Sequence, residues 1–186
     1  MMAHLDERTR YPARLASNLG WVRGHIELPP RRSVLDALND HDGMLRVANA
    51  YLSGRREHLG DLDLRVAAIS LVLPGDVTGD QRLAIAEARA RIATPLPRRR
   101  VLLMLDRVSI VGTVQVREGA RVWDAMRASH SFVRVEGAAI HAERGGGQSD
   151  LVDTLPELYV NVDRIHGISE VGDKSVSAPT LGSSGR

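Results

Sequence analysis

Residues 22–52, VRGHIELPPRRSVLDALNDHDGMLRVANAYL, and residues 110–140, IVGTVQVREGARVWDAMRASHSFVRVEGAAI, align without a gap at an offset of 88. Seven of the 31 positions are identical: Gly24/Gly112, Val34/Val122, Asp36/Asp124, Ala37/Ala125, Arg46/Arg134, Val47/Val135 and Ala50/Ala138. Chance would give about two at ordinary composition. Apolar character also matches at Val22/Ile110, Ile26/Val114, Leu28/Val116, Leu35/Trp123, Leu38/Met126 and Met44/Phe132. A looser echo links LDLRVAAI at 62–69 with LYVNVDRI at 158–165. The period is too long for a solenoid and reads as a small domain used twice.

Each copy carries the same periodicities. Around Gly24 and Gly112 apolar and polar residues alternate, with Val22, Ile26 and Leu28 matched by Ile110, Val114 and Val116. Alternation predicts a half-buried strand, and a glycine inside it predicts a bulge or a close backbone approach. Val34, Leu35 and Leu38, like Val122, Trp123 and Met126, then fall on one face of a short helix. Ser33 and Asp36 have the spacing of a capping box. Strands are predicted next at 44–52 and 132–140, and single further strands at 62–73 and 158–169. The second copy has an additional apolar stretch, VLLMLDRV at 101–108, whose counterpart ARLASNLG at 13–20 reads as a weak, fraying strand. Trp123 and Phe132 stand where the first copy has Leu35 and Met44, so the second copy is expected to have the sturdier core.

Between the copies, proline and glycine at Pro74, Gly75, Gly79, Pro95 and Pro97 bracket an Ala/Glu/Arg-rich run expected to be a linking helix over about 81–92. ERGGGQSD at 143–150 reads as a hairpin loop matching SGRREHLGD at 53–61. The expected organisation is a disordered N-terminus over 1–12 and a first repeat over 13–73. A linker over 74–100, a second repeat over 101–172 and a disordered tail over 173–186 follow.

Composition bounds the chemistry. The chain has 186 residues, 43% apolar and 3% aromatic, with no cysteine and a net charge of +2. Lacking cysteine, it has no disulfide, thiol nucleophile or thiolate metal site. No apolar run is long enough to span a membrane, and MMAHLDERTR does not read as a signal peptide, so a cytoplasmic protein is the expectation. Lys174 is the only lysine among 25 basic residues. Neither a nucleophile elbow, a phosphate loop nor a dinucleotide fingerprint occurs, and the seven histidines lack ligand spacing. No catalytic residue, metal or cofactor is therefore assigned. Asp36 and Arg46 recur as Asp124 and Arg134, ten residues apart in both copies, and read as a helix cap and a salt-bridging or solvent-facing arginine. The basic cluster is Arg98, Arg99 and Arg100, entering the strand at 101, with Arg55 and Arg56 as lesser helpers. These five residues are the candidate anion-binding set.

Three resemblances follow from these residues. The glycine-bearing strand leading into Asp36-Ala37-Leu38-Asn39, then an apolar strand, then a last strand ending near Ile165, resembles an uncharacterised bacterial domain-of-unknown-function family. That resemblance spans roughly 20–73 and 101–170; it implies the fold and its duplication and brings no activity. Leu35 stands where that family has serine, and the second copy has Trp123, Asp124 and Arg127 in place of its Ser, Asp and Asn. Gly24 with Asp36 and Asn39 is similar to the Sm-like RNA-binding barrel, although the acid and amide stand three rather than four apart. The arginines at 98–100 followed by DRVSIVG at 106–112 look like a PilZ cyclic-dinucleotide barrel, with one residue too many between Asp106 and Ser109.

The expected fold is α+β and mainly β, as two related barrel-like or open-sheet units, each with one short helix, joined by a helical linker. The expected function is a non-enzymatic binding or scaffolding module of a regulatory system, acting on a protein or small ligand through strand edges or the groove between copies. Nucleic-acid or nucleotide binding through the arginine cluster is the alternative.

Overall fold

The computed structural model describes residues 8–30, 32–40, 43–53, 58–75, 96–129, 131–144 and 148–172. Its strands are β1 (Thr9–Ser17), β2 (Gly20–Leu28), β3 (Met44–Leu52), β4 (His58–Arg65) and β5 (Ile69–Pro74). They continue with β6 (Arg98–Met104), β7 (Val108–Gln115), β8 (Phe132–Arg144), β9 (Gln148–Asn161) and β10 (Gly167–Glu170). All ten belong to one antiparallel open sheet in the order β10-β6-β7-β8-β9-β5-β1-β2-β3-β4, which leaves β10 and β4 at its edges. Among the described residues there are two α-helices, α1 (Val34–Leu38) and α2 (Val122–Ser129), and two 3₁₀ turns, η1 (Val66–Ala68) and η2 (Val162–Arg164). The protein is mainly β, as the alternation predicts. No helix among the described residues is long and apolar enough to cross a membrane.

The succession strand, strand, helix, strand, strand, 3₁₀ turn, strand runs from β1 to β5 and recurs from β6 to β10. In each half four strands meander and the fifth returns to the first: Val72 lies opposite Leu15, and Ile168 opposite Leu103. The expected single strands at 62–73 and 158–169 are each broken in two by η1 and η2. Those turns carry the chain from one side of a half-sheet to the other. Neither turn contains glycine or proline, so the break leaves no punctuation in the sequence.

The halves join where β5 pairs with β9, Leu71 opposite Val160 and Val72 opposite Tyr159. Both strands are apolar at successive positions there, the mark of a strand buried on two faces. Leu71 and Leu73 enter the core of the C-terminal half beside Val101, Leu103 and Ile110, while Ile69 and Val72 join Leu15, Val22 and Ile26 in the other core. On β9, Leu158 and Val160 face the first of these cores and Tyr159 the second. The sheet thus carries one core on each face of its central strands. Phe132, expected in the core of its own half, is buried in the N-terminal one. As the first residue of β8 it lies beside Asn161 at the end of β9, where the outward face meets the other half.

Other expectations shift with the same geometry. β1 is a full nine-residue strand rather than a fraying one, and it starts at Thr9, inside the stretch expected to be disordered. Flanked by β5 and β2, it needs only one apolar face, which Ala13 and Leu15 supply. Arg98 to Arg100 are the first residues of β6 rather than the end of a linker. β4 begins at His58, so part of the expected loop at 53–61 is strand. The predicted helix over 81–92, residues 145–147 of the GGG loop and the tail from 173 lie outside the described residues.

Candidate functional site

The N-terminal half-sheet owes its shape to a close approach between β2 and β3. A Cβ on Gly24 would lie 2.6 Å from Val47 Cγ1 and 2.8 Å from the Ala48 carbonyl oxygen. Opposite it, β3 takes an extra residue, and Asn49 adopts a left-handed φ of 51°. The same device recurs 88 residues later, where a Cβ on Gly112 would collide with Val135 Cγ1 and Gly137 has φ 56°. A β-bulge with a left-handed residue bends the strand and sharpens its twist. The glycine strand expected from the sequence is therefore half of a two-strand bend.

On the solvent face of this half, charges alternate across four strands. Arg10 of β1 bonds Glu27 of β2 at 2.9 Å, Glu27 lies 3.5 Å from Arg46 of β3, and Arg46 bonds Asp61 of β4 at 2.9 Å. The hydrogen bond from Arg46, reinforced by its charge, holds the Asp61 carboxyl below the usual aspartate range, and Asp61 raises Arg46 in return. Asp63, the cross-strand partner of Arg46, adds a second carboxylate on β4. The C-terminal half repeats the arrangement with the acid moved by one strand. Arg98 and Arg134 reach Glu136 of β8 at 3.3 and 2.5 Å, and the Gln115 amide donates to Glu136 at 3.3 Å. Glu27 and Ala48 in one half thus correspond to Gln115 and Glu136 in the other.

The ladder ends on β4, whose outer side has no strand among the described residues. The Val66 N–H donates to the Gly43 carbonyl across the β3–β4 pair. Antiparallel pairs alternate between hydrogen-bonded and non-bonded, so Leu64 turns its backbone groups to β3, while Asp63 and Arg65 turn theirs outward. By position, Asp63 corresponds to Tyr159 of β9, opposite which β5 is seated. One edge of this kind therefore already holds a strand within the molecule, and among the described residues its counterpart on β4 holds none.

Asp36 completes the capping box, accepting from the Ser33 amide at 3.2 Å while the Ser33 hydroxyl accepts from the Asp36 amide at 3.1 Å. Asp124 lies exposed in the first turn of α2, where Arg121 replaces the capping serine. Arg46 and Arg134 belong to the charge ladders. Arg98 is held by Glu136, leaving Arg99 and Arg100 as its exposed neighbours, and Arg55 and Arg56 lie outside the described residues. The five arginines are thus not assembled into one described site. Among the described residues no cluster of His, Asp and Glu is disposed to hold a metal ion. His166 and Asp106 form an exposed pair at 2.6 Å. Glu27, Asp61 and Asp63 belong to no motif in the sequence. The signal lay in the repeat itself, which sets Arg10 against Arg98 and Asp61 against Glu157.

The class defined by this fold is a mainly β protein built on one ten-stranded antiparallel sheet, whose β4 edge is charged and without a further strand among the described residues. No family model, curated protein or solved structure matches the chain.

Proposed function

We propose that the protein is a non-enzymatic binding module, built from a duplicated five-strand unit, that takes an extended polypeptide onto the free edge of β4. The recurrent element order and the recurrent bend at Gly24 and Gly112 support the duplication. The observation that carries the function is the seating of β5 on β9, because β4 stands in the same position in its own half and, among the described residues, has no strand on its outer edge. Strand addition draws affinity from main-chain hydrogen bonds and specificity from alternate side chains. Eight residues of β4 offer that template, and the outward groups of Asp63 and Arg65 are its donors and acceptors.

Asp63→Pro tests this directly. Proline deletes the outward N–H and leaves the bonds between β4 and β3 in place, so the fold survives. Asp63→Asn removes the charge and keeps the N–H. Short unstructured peptides selected on the native chain from a random display library should bind Asp63→Asn and lose binding to Asp63→Pro. Equal binding to Asp63→Pro, at an unchanged melting temperature, would refute strand addition at this edge.

A further inference from the structure

Resting on that reading, we infer that the strand accepted by β4 belongs to a different polypeptide, runs antiparallel, and alternates basic with apolar residues. The β10 strand of a second copy does not fit the edge in the register that β5 takes on β9. The ladder supplies the first argument. Charges run positive, negative, positive, negative from Arg10 through Glu27 and Arg46 to Asp61, and β4 ends the series on two exposed carboxylates, Asp61 and Asp63. Opposite charges across neighbouring strands stabilise and like charges destabilise, so the next position in the series is a cation's.

The opposite face of β4 supplies the second. Leu62 and Leu64 point to the core, and Leu64 is buried. On the corresponding edge β5 places Leu71 opposite Val160, the counterpart of Leu64, and sends Leu73 into the same core. A partner residue opposite Leu64 would extend the apolar surface in the same way.

The chain's own β10 fails at each of these positions. It pairs with β6 as β5 pairs with β1, so seating it on β4 in the β5–β9 register would set Gly167 opposite Leu64 and Ile168 opposite Asp63. Ser169 would then meet Leu62, and Glu170 would meet Asp61. Apolar positions receive glycine and serine, and an acid faces an acid. Short, charged edge strands are how sheets resist self-pairing.

The experiment uses the full chain and three synthetic peptides: one alternating valine with lysine, one alternating valine with glutamate, and one with the valines and lysines of the first gathered into blocks. The alternating lysine peptide should bind on the order of tenfold tighter than the glutamate peptide, with the gap narrowing as salt screens the carboxylates. It should protect β4 amides from hydrogen exchange, outbind the blocked peptide, and fail on Asp63→Pro. The double variant Asp61→Lys, Asp63→Lys should reverse the charge preference. Equal binding of lysine and glutamate peptides, both lost in Asp63→Pro, would overturn the inference and leave the edge reading standing. Peptide binding unaffected by Asp63→Pro would sink both. Concentration-dependent dimerisation in sedimentation, abolished by Asp63→Pro, would overturn the exclusion of a second copy.

Discussion

Gly24 and Asn49 form a pair whose requirements are opposite in kind. Gly24 is needed because β3 backbone and the Val47 methyl occupy the space of a side chain, whereas Asn49 is needed because its φ is positive. A flexible side chain can yield a few tenths of an ångström; the Ala48 carbonyl, fixed in a ladder, cannot. Gly24→Ala should therefore destabilise by roughly 1–3 kcal/mol, the usual cost of overpacking. Asn49→Ala should cost about 1–2 kcal/mol through its left-handed backbone, and Asn49→Gly much less. Denaturant melts of the three variants check this. A neutral Gly24→Ala would mean that β2 and β3 separate more readily than the distances imply. The sequence made the glycine legible through its repetition at Gly112. Its partner stayed hidden because Asn49 and Gly137 differ in identity and agree only in tolerating positive φ.

At the scale of elements, α1 shows what local pattern can and cannot convey. Its five residues are too few to be stable alone, and the Ser33–Asp36 capping box only fixes where it begins. Burial of Val34 and Leu38 holds its inner face. Its C-cap reaches across the molecule. The Asn39 amide donates to the Phe132 carbonyl at 3.1 Å and its oxygen accepts from the Phe132 amide at 2.8 Å. One carboxamide thus mimics a strand at the start of β8 and anchors Phe132, whose ring fills the N-terminal core. Asn39→Ala leaves two backbone groups of a buried residue without these partners and should cost about 1–3 kcal/mol, with faster hydrogen exchange at Phe132. Asn39→Asp restores the acceptor alone and should recover part of that loss. A melting temperature unchanged in Asn39→Ala would show that solvent satisfies Phe132 equally well. Helix, bend and meander strands were legible because each follows its own period. The η1 and η2 breaks, the β5–β9 pairing and this reach of Asn39 were not, since they are settled by which distant surface a residue meets. The same holds for the site. Arg98, Arg99 and Arg100 stand out as a run in sequence, yet the β4 edge is defined by where the described sheet ends in space.

For the whole molecule the decisive feature is that the halves exchange side chains rather than merely touching. Leu71 and Leu73 are carried by the N-terminal half and buried with the C-terminal core, while Phe132 and Tyr159 make the reverse trade. Asn161 adds a hydrogen bond from its buried amide to the Ile69 carbonyl at 2.9 Å, and Arg164 another to the Ala67 carbonyl at 2.7 Å. Neither core is complete without the other half, and each half alone would be a small domain with a marginal core. Unfolding should therefore be one cooperative transition. Leu71→Ala, which opens a cavity in the C-terminal core from a strand of the N-terminal half, should cost about 2–5 kcal/mol. Because β5 also pairs with β1, that loss should lower hydrogen-exchange protection in β2 and β3 as much as in β7 and β8. Loss of protection confined to β6–β10, or two separated melting transitions, would show that the halves fold as independent units. Coupling of this kind also bears on the free edge. A strand added at β4 would stabilise the sheet only through the half it joins, and cooperativity would transmit that gain across β5–β9. A bound peptide should then slow exchange in β7 as well as in β3, which a contact confined to one independent half would not do.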